Sequence, residues 1–296
     1  MAVVQPKSQG LRLLAAHAFL LLLCAAVLFP FLIVISVSLR PGNFASGSLI
    51  PQTISLEHWR YVLGFAAPGP DGSVVKPDLP VLLWLGNSIK VALMSAAVTL
   101  LLSTTASYAL ARIQFKGRKQ LMTGLMLMQM FPAVLALVAI YAIFDRIGSA
   151  FPAIGLNTHF SLVLAYSGGI AMHVWTLKGY YDTLPVEIEE AARVDGATAW
   201  QSFWRVLLPM ALPILVVVFM LAFIGAIIEY PVASVLLSQQ DQLTLAVGSK
   251  LFVQEHNFRW GDFAAAAILS GLPITAVFLL AQRWMISGLA AGGVKG

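Results

Sequence analysis

Charge is scarce in this sequence. Only 10% of the 296 residues are Asp, Glu, Lys or Arg, against about 25% in a typical soluble domain, so the chain cannot coat a water-facing globule. A single cysteine, Cys24, excludes an internal disulfide, and it lies in an apolar run. There is no G-x-x-x-x-G-K-[ST] phosphate loop, no H-E-x-x-H and no G-x-S-x-G. His17, His58, His159, His173 and His256 are scattered over different segments, with no Cys/His spacing that would hold a metal. These absences exclude a cytosolic enzyme, ATP binding by a phosphate loop, a zinc hydrolase and a disulfide-stapled secreted domain. The cleanest apolar runs also lack carboxylates, the mark of a proton- or sodium-coupled carrier.

What is present is hydrophobic length. Apolar residues make up 59% of the chain and mean hydropathy is +0.85. A bilayer core about 30 Å thick needs roughly 20 apolar residues of helix. Residues 14–38, 84–111, 120–144, 160–177, 206–228 and 263–282 meet that test, and only Lys90 interrupts them, near enough to an end to snorkel. Alternating strands of a membrane barrel are absent. Six helices are expected, the first an uncleaved anchor because its apolar run is too long for a signal peptide.

With the N-terminus inside, the inner segments 1–12, 112–120, 178–205 and 283–296 hold eleven Lys and Arg, and the outer segments 40–80, 145–159 and 229–262 hold six. Both termini are therefore placed in the cytoplasm. The +5 net charge is read as topology and not as a nucleic-acid footprint. Segment 40–80, with six prolines, favours turns and extended chain around a short helix near 56–63. Segment 229–262 is polar and too long for a plain connector. Pro132 sits inside the third span, Pro209 and Pro213 open the fifth, and Pro273 interrupts the sixth. Small residues at 95–97, 103–107, 168–169 and 264–267 mark helix contacts, within this chain or with a second subunit. Glu229, at the outer end of the fifth span, and Gln129, deep in the third, are candidate gate or pathway residues. Glu229 equally fits a carboxylate at the water boundary, and Gln129 a hydrogen bond across helices.

The inner segment 178–209 differs in kind. It carries Asp182, Glu187, Glu189, Glu190 and Asp195, five of the 13 acidic residues, although the inner leaflet attracts Lys and Arg. Asp182 and Thr183 can cap a short helix with Pro185 in its first turn, and Gly196 supplies its stop. Thr198 can cap a second helix through Trp200, Phe203 and Trp204 to Pro209. Leu184, Ile188 and Ala191 share a face sized to enter a groove.

Glu190-Ala191-Ala192-x-x-x-Gly196, then nine residues and Val206-x-Leu208-Pro209, resembles the EAA motif of membrane subunits of bacterial ABC importers, with Val206 where the family usually has isoleucine. Leu49-Ile50-Pro51, Phe131-Pro132-Ala133, Gly155-Leu156-Asn157-Thr158, Asp195-Gly196-Ala197-Thr198 and the C-terminal Ala290-Ala291-Gly292-Gly293-Val294-Lys295-Gly296 extend the resemblance to the permease subunits of maltose/maltodextrin importers, over essentially the whole chain. The resemblance implies an all-α membrane protein of the type I ABC importer permease fold. It has a cytoplasmic N-terminus and first helix (1–39), a first periplasmic loop (40–80) and a permease core (81–296) with coupling loop 178–209, periplasmic loop 229–262 and tail 286–296. It implies a non-catalytic subunit of the bacterial inner membrane. Glu190, Ala191, Ala192, Asp195, Gly196, Leu208 and Pro209 would couple to an ATPase, and Gly292, Gly293, Val294, Lys295 and Gly296 would reach into it. The partners implied are a MalF-like second permease, a MalK-like ATPase homodimer that holds the ATP and Mg, a periplasmic maltose-binding protein and membrane lipid. No cofactor is expected on this chain, and no nucleic acid. A permease for another sugar, or a self-contained carrier or channel, is the alternative.

Overall fold

Proline and glycine positions decide how the apolar runs become helices. The computed structural model describes residues 9–292 apart from 46, 69–72 and 255–256. The first run is helix α1, Gln9–Ser38, which bears Pro30 without breaking. A short helix α2, Glu57–Val62, and a hairpin of β1, Ala67–Pro68, and β2, Val74–Val75, follow; the hairpin pairs antiparallel with Ala67 opposite Val75. Helix α3, Val81–Arg112, is the longest in the first half of the chain.

The third run departs from expectation. It is two helices, α4, Arg118–Met130, and α5, Leu137–Ala150, separated by extended Phe131 and Pro132 and a 3-10 turn, Ala133–Ala136. Pro132 lacks an N–H and pushes the residue before it out of the helical region, so the run breaks at Phe131. The fourth run is α6, His159–Ser167, and α7, Ala171–Tyr181, bent by 51° at Gly168 and Gly169. Those glycines therefore serve as a bend, a role their small size alone did not distinguish from a contact face.

Next come α8, Val186–Val194; α9, Ala199–Ser202; a π-helical turn, Phe203–Leu207; α10, Leu208–Met210; and α11, Leu212–Ile227. The chain bends by 80° between the helical stretch that ends at Met210 and α11. Pro209 and Pro213, four residues apart, each remove a helical N–H, which widens the turn before the bend and opens α11 after it. The remaining helices and strands are α12, Pro231–Leu236; α13, Leu245–Gly248; a second hairpin of β3, Val253–Gln254, and β4, Asn257–Phe258; and α14, Trp260–Gly292, with 3-10 turns at Pro152–Ile154 and Ser249–Phe252. Here too expectation fails, because α14 runs unbroken through Pro273. Among the described residues, four helices are long and apolar enough to cross a bilayer, or six when each bent pair is one span.

The chain forms two compact units, residues 1–80 with 251–269, and residues 81–250 with 270–296. In the second, α3 packs against α6, α7 and α11. Its buried stripe of Ser88, Val91, Ala92, Ser95, Ala96, Thr99, Ser103 and Ser107 lets backbones approach closely, so this small-residue face is spent within the chain. Ser107 reaches across to donate to the Val174 carbonyl at 3.0 Å. Asn87 donates to the Asp241 and Leu243 carbonyls, both at 2.9 Å, and pins segment 240–245 to α3.

In the first unit, most described residues of segment 40–80 are exposed, but α2 and the turn before it are tied to residues 259–262. Asn43 accepts from the Gly261 N–H at 3.0 Å at the start of α14. His58 lies flat on Gly261, where a Cβ would sit 2.0 Å from its ring, so only glycine admits the contact. One ring nitrogen, Nδ1, meets Asp262 Oδ1 at 2.7 Å; the other, Nε2, faces the carbonyls of Arg40 and Gly42 at 3.0 and 3.2 Å. Arg259 donates to Asp262 Oδ2 at 2.7 Å and stacks on Tyr61, whose hydroxyl donates to Asp78.

Candidate functional site

The acidic segment between α7 and α11 is built as expected in outline. Gly196 adopts φ +89°, the left-handed stop after α8, and Ala197 N–H returns to the Ala192 carbonyl at 2.9 Å. Thr198 caps α9 in a reciprocal box with Gln201. The start of α8 is built otherwise. Asp182 pairs with Lys178 at 2.5 Å, Thr183 donates to the Tyr180 carbonyl, and Pro185 occupies the cap position with no side-chain cap. Four residues after Lys178, Asp182 is drawn to that cation and not to the next helix.

One face of this segment is anchored. Leu177, Tyr181, Phe203, Leu207, Ala211 and Val218 form a buried cluster with Leu184, Leu208 and Tyr108 against it. The sole buried residue of α8 is acidic: Glu189, whose carboxylate accepts from Arg112 Nε at 2.6 Å. The two side chains are 4% and 8% exposed. Arg112 also donates from Nη2 to the Leu184 carbonyl at 3.1 Å. Its guanidinium thus spans the proline turn between α7 and α8.

The opposite face is bare. Val194 is 88% exposed, Val186 and Ile188 are exposed, and Glu190, Ala191, Asp195 and Gly196 lie beside them, while Ala192 is half-buried. Apolar knobs ringed by carboxylates suit a groove with basic walls. Trp200 and Trp204, partly exposed, pack edge to face at 5.7 Å, as aromatic side chains do at a bilayer boundary. Leu208 joins the buried cluster and Pro209 is exposed at the bend, so these two shape the segment from behind.

Glu229 sits apart from that surface. It accepts from the Val232 and Ala233 N–H groups, at 2.8 and 3.0 Å, and from the Tyr166 hydroxyl at 2.8 Å, at the head of α12. It lines an opening of about 200 Å³ together with Ser95, Thr99, Tyr166 and His173. Ser95 Oγ is buried there without a hydrogen-bond partner. Gln129 is exposed on α4 and does not line this opening. Gly292 ends α14, and Gly293, Val294, Lys295 and Gly296 lie outside the described residues.

Two features escaped sequence reasoning. Arg112 reads as one of a basic cluster, and Glu189 as one acid among five; only the helical phase, which turns Glu189 away from Ile188 and Glu190, separates it. Tyr166 carried no signal that it would meet Glu229, 63 residues away.

Residues 101–290 match the family described as binding-protein-dependent transport system inner membrane component. The chain is 59% identical to the maltose/maltodextrin transport system permease protein MalG of Photorhabdus laumondii, and 58% identical to that of Escherichia coli K12, over the whole of each chain. It shares its fold with a chain of a bacterial ABC transporter that imports the acidic polysaccharide alginate (TM-score 0.75, 20% identity, 94% of this chain and 98% of the other). It is also similar to a chain of the inward-facing MetNI methionine ABC transporter (TM-score 0.54, 17% identity, 70% and 94%).

Proposed function

The chain belongs to the binding-protein-dependent transport system inner membrane components, and from that premise we propose that it forms half of the membrane passage of an ATP-driven importer for maltose and maltodextrins. It is a non-catalytic, multi-pass permease subunit of the bacterial inner membrane, with both termini in the cytoplasm. A second permease completes the passage, an ATPase dimer holds ATP and Mg, and a periplasmic binding protein delivers the sugar. Full-length identity of 58–59% to MalG proteins supports the substrate.

The observation that carries the coupling role is α8 itself: an exposed acidic and apolar face, with Glu190 and Val194, on a short helix anchored from behind. Glu190, Ala191, Ala192, Asp195 and Gly196 sit in a cleft of one ATPase subunit. Closure of the ATPase dimer pulls α8 and swings the attached spans between inward- and outward-facing states, a rigid-body transmission. The tail from Gly292 to Gly296 extends into the ATPase dimer. Glu229 and Gln129 are assigned to the gate or pathway, Glu229 by way of the opening it shares with Tyr166.

The test is ATP-dependent maltose uptake in proteoliposomes with the three partner proteins, comparing the wild type with Glu190→Arg. Charge reversal on an exposed face leaves the fold intact, so uptake and ATPase co-purification should both fall. Unchanged assembly and uptake would refute the docking role. Uptake of a different sugar with none of maltose would leave the mechanism and replace the substrate.

A further inference from the structure

This inference rests on the coupling reading above and adds a load path to it. Helix α8 is nine residues long and has turns at both ends, the Pro185 turn before it and the Gly196 turn after it. A helix pulled between two turns can pivot without moving what it is attached to. The helix rests on α9 and on the π-helical turn 203–207, but its one fully buried side chain, Glu189, is gripped by the last residue of α3. α3 is in turn the helix against which α6, α7 and α11 pack. We infer that Arg112 and Glu189 are positioning residues whose buried ion pair carries displacement of α8 directly into α3, and so into the bundle.

The geometry suits that role better than it suits simple stabilisation. A buried ion pair is often no more stabilising than apolar residues of the same volume, because two charges must be desolvated. What it adds is direction. Arginine offers a rigid fork of donors, and here the fork takes acceptors on both sides of the Pro185 turn, the Leu184 carbonyl and the Glu189 carboxylate. The turn that could act as a hinge is thereby bridged. A lysine, with a point charge on a flexible stem, keeps the attraction but cannot hold both acceptors in one plane.

The experiment compares wild type, Arg112→Lys and the doubly neutral Arg112→Gln/Glu189→Gln in the complete reconstituted complex. Three quantities are read: ATPase recovered with the permease, ATP hydrolysed, and maltose moved per ATP. The docking face is untouched, so the ATPase should remain bound and active. Maltose moved per ATP should fall about tenfold in the double variant, within the usual range of coupling-network effects, and by less in Arg112→Lys. An assembled double variant with an unchanged ratio overturns the inference. So does loss of assembly in both variants, the conservative one included, because the pair would then be needed for folding and not for transmission. If the wild type itself recovers no ATPase, it is the coupling reading that fails.

Discussion

Arg112–Glu189 in the larger unit and His58–Asp262–Arg259 in the smaller are both charge clusters taken out of water, yet only the second contains a histidine. The first is a compact pair: Arg112 takes the Glu189 carboxylate and the Leu184 carbonyl, Tyr108 borders the carboxylate, and Glu189 Oε2 is buried without a hydrogen-bond partner. The second is a chain of partners in which Asp262 accepts from both His58 and Arg259, and Arg259 reaches Tyr61 and Asp78. Losing one member of a pair strands the other, whereas losing one member of a chain leaves its neighbours partly satisfied. The second contains a ring whose hydrogen bonds to Asp262, Arg40 and Gly42 respond to its protonation.

The largest contrast is expected between Arg112→Ala and His58→Ala. The first leaves Glu189 buried without a counter-charge and should cost about 3–5 kcal/mol. The second leaves Asp262 with Arg259 and should cost clearly less. Denaturation temperatures of the purified complex, measured side by side, check the order, and equal losses would break the comparison.

Next comes pH. Burial works against the charged His58 ring, but the hydrogen bond and charge of Asp262, the nearby Glu57 carboxylate and the Gly42 carbonyl outweigh it and hold the ring above its ordinary value. The stabilisation is then full below the unfolded histidine value of about 6.5 and is lost as pH rises through the raised folded value. Once neutral, the ring has one N–H for acceptors at both nitrogens, so either Asp262 or the Arg40 and Gly42 carbonyls lose it. Hydrogen exchange in residues 40–68, corrected for intrinsic rates, should show protection falling from pH 6 to pH 9 in the wild type and a flat response in His58→Gln. Residues 184–194, which contain no histidine, serve as the reference segment in the same measurement.

The smallest effect belongs to Tyr61→Phe. Burial first, and then the hydrogen bond to Asp78, push the Tyr61 hydroxyl up to about 12. It stays protonated and donates to a carboxylate that Arg259 also contacts. Asp78 is 71% exposed and water can replace the hydroxyl, so about 1 kcal/mol or less is expected. A thermal melt showing a loss as large as that of His58→Ala would mean that the chain is less redundant than its contacts suggest.

Much of the acidic segment was legible because it is local. Gly196 at positive φ and the Thr198 box depend on residues within four positions of each other. Of the face expected from helical spacing, however, only Ile188 and Ala191 are exposed, while Leu184 packs inward against the buried cluster. Helix bends were legible only in part. Pro132 broke its run, but Pro273 did not, since a proline leaves the outcome to whether surrounding packing holds the helix together. Asp182 was assigned to the wrong partner because a lysine one turn back competed with the cap.

Sequence by itself determined that this chain is a membrane protein, that it has six apolar runs long enough to span a bilayer, and that one inner segment is both acidic and helical. These follow from hydropathy, charge counts and motif spacing, which are properties of neighbours along the chain. Tertiary structure alone decided which acid in that helix turns inward to Arg112, 77 residues away, that His58 meets Asp262 across 204 residues, and that Tyr166 meets Glu229. A charge in a sequence looks the same whether water or another charge satisfies it, and only packing removes the water.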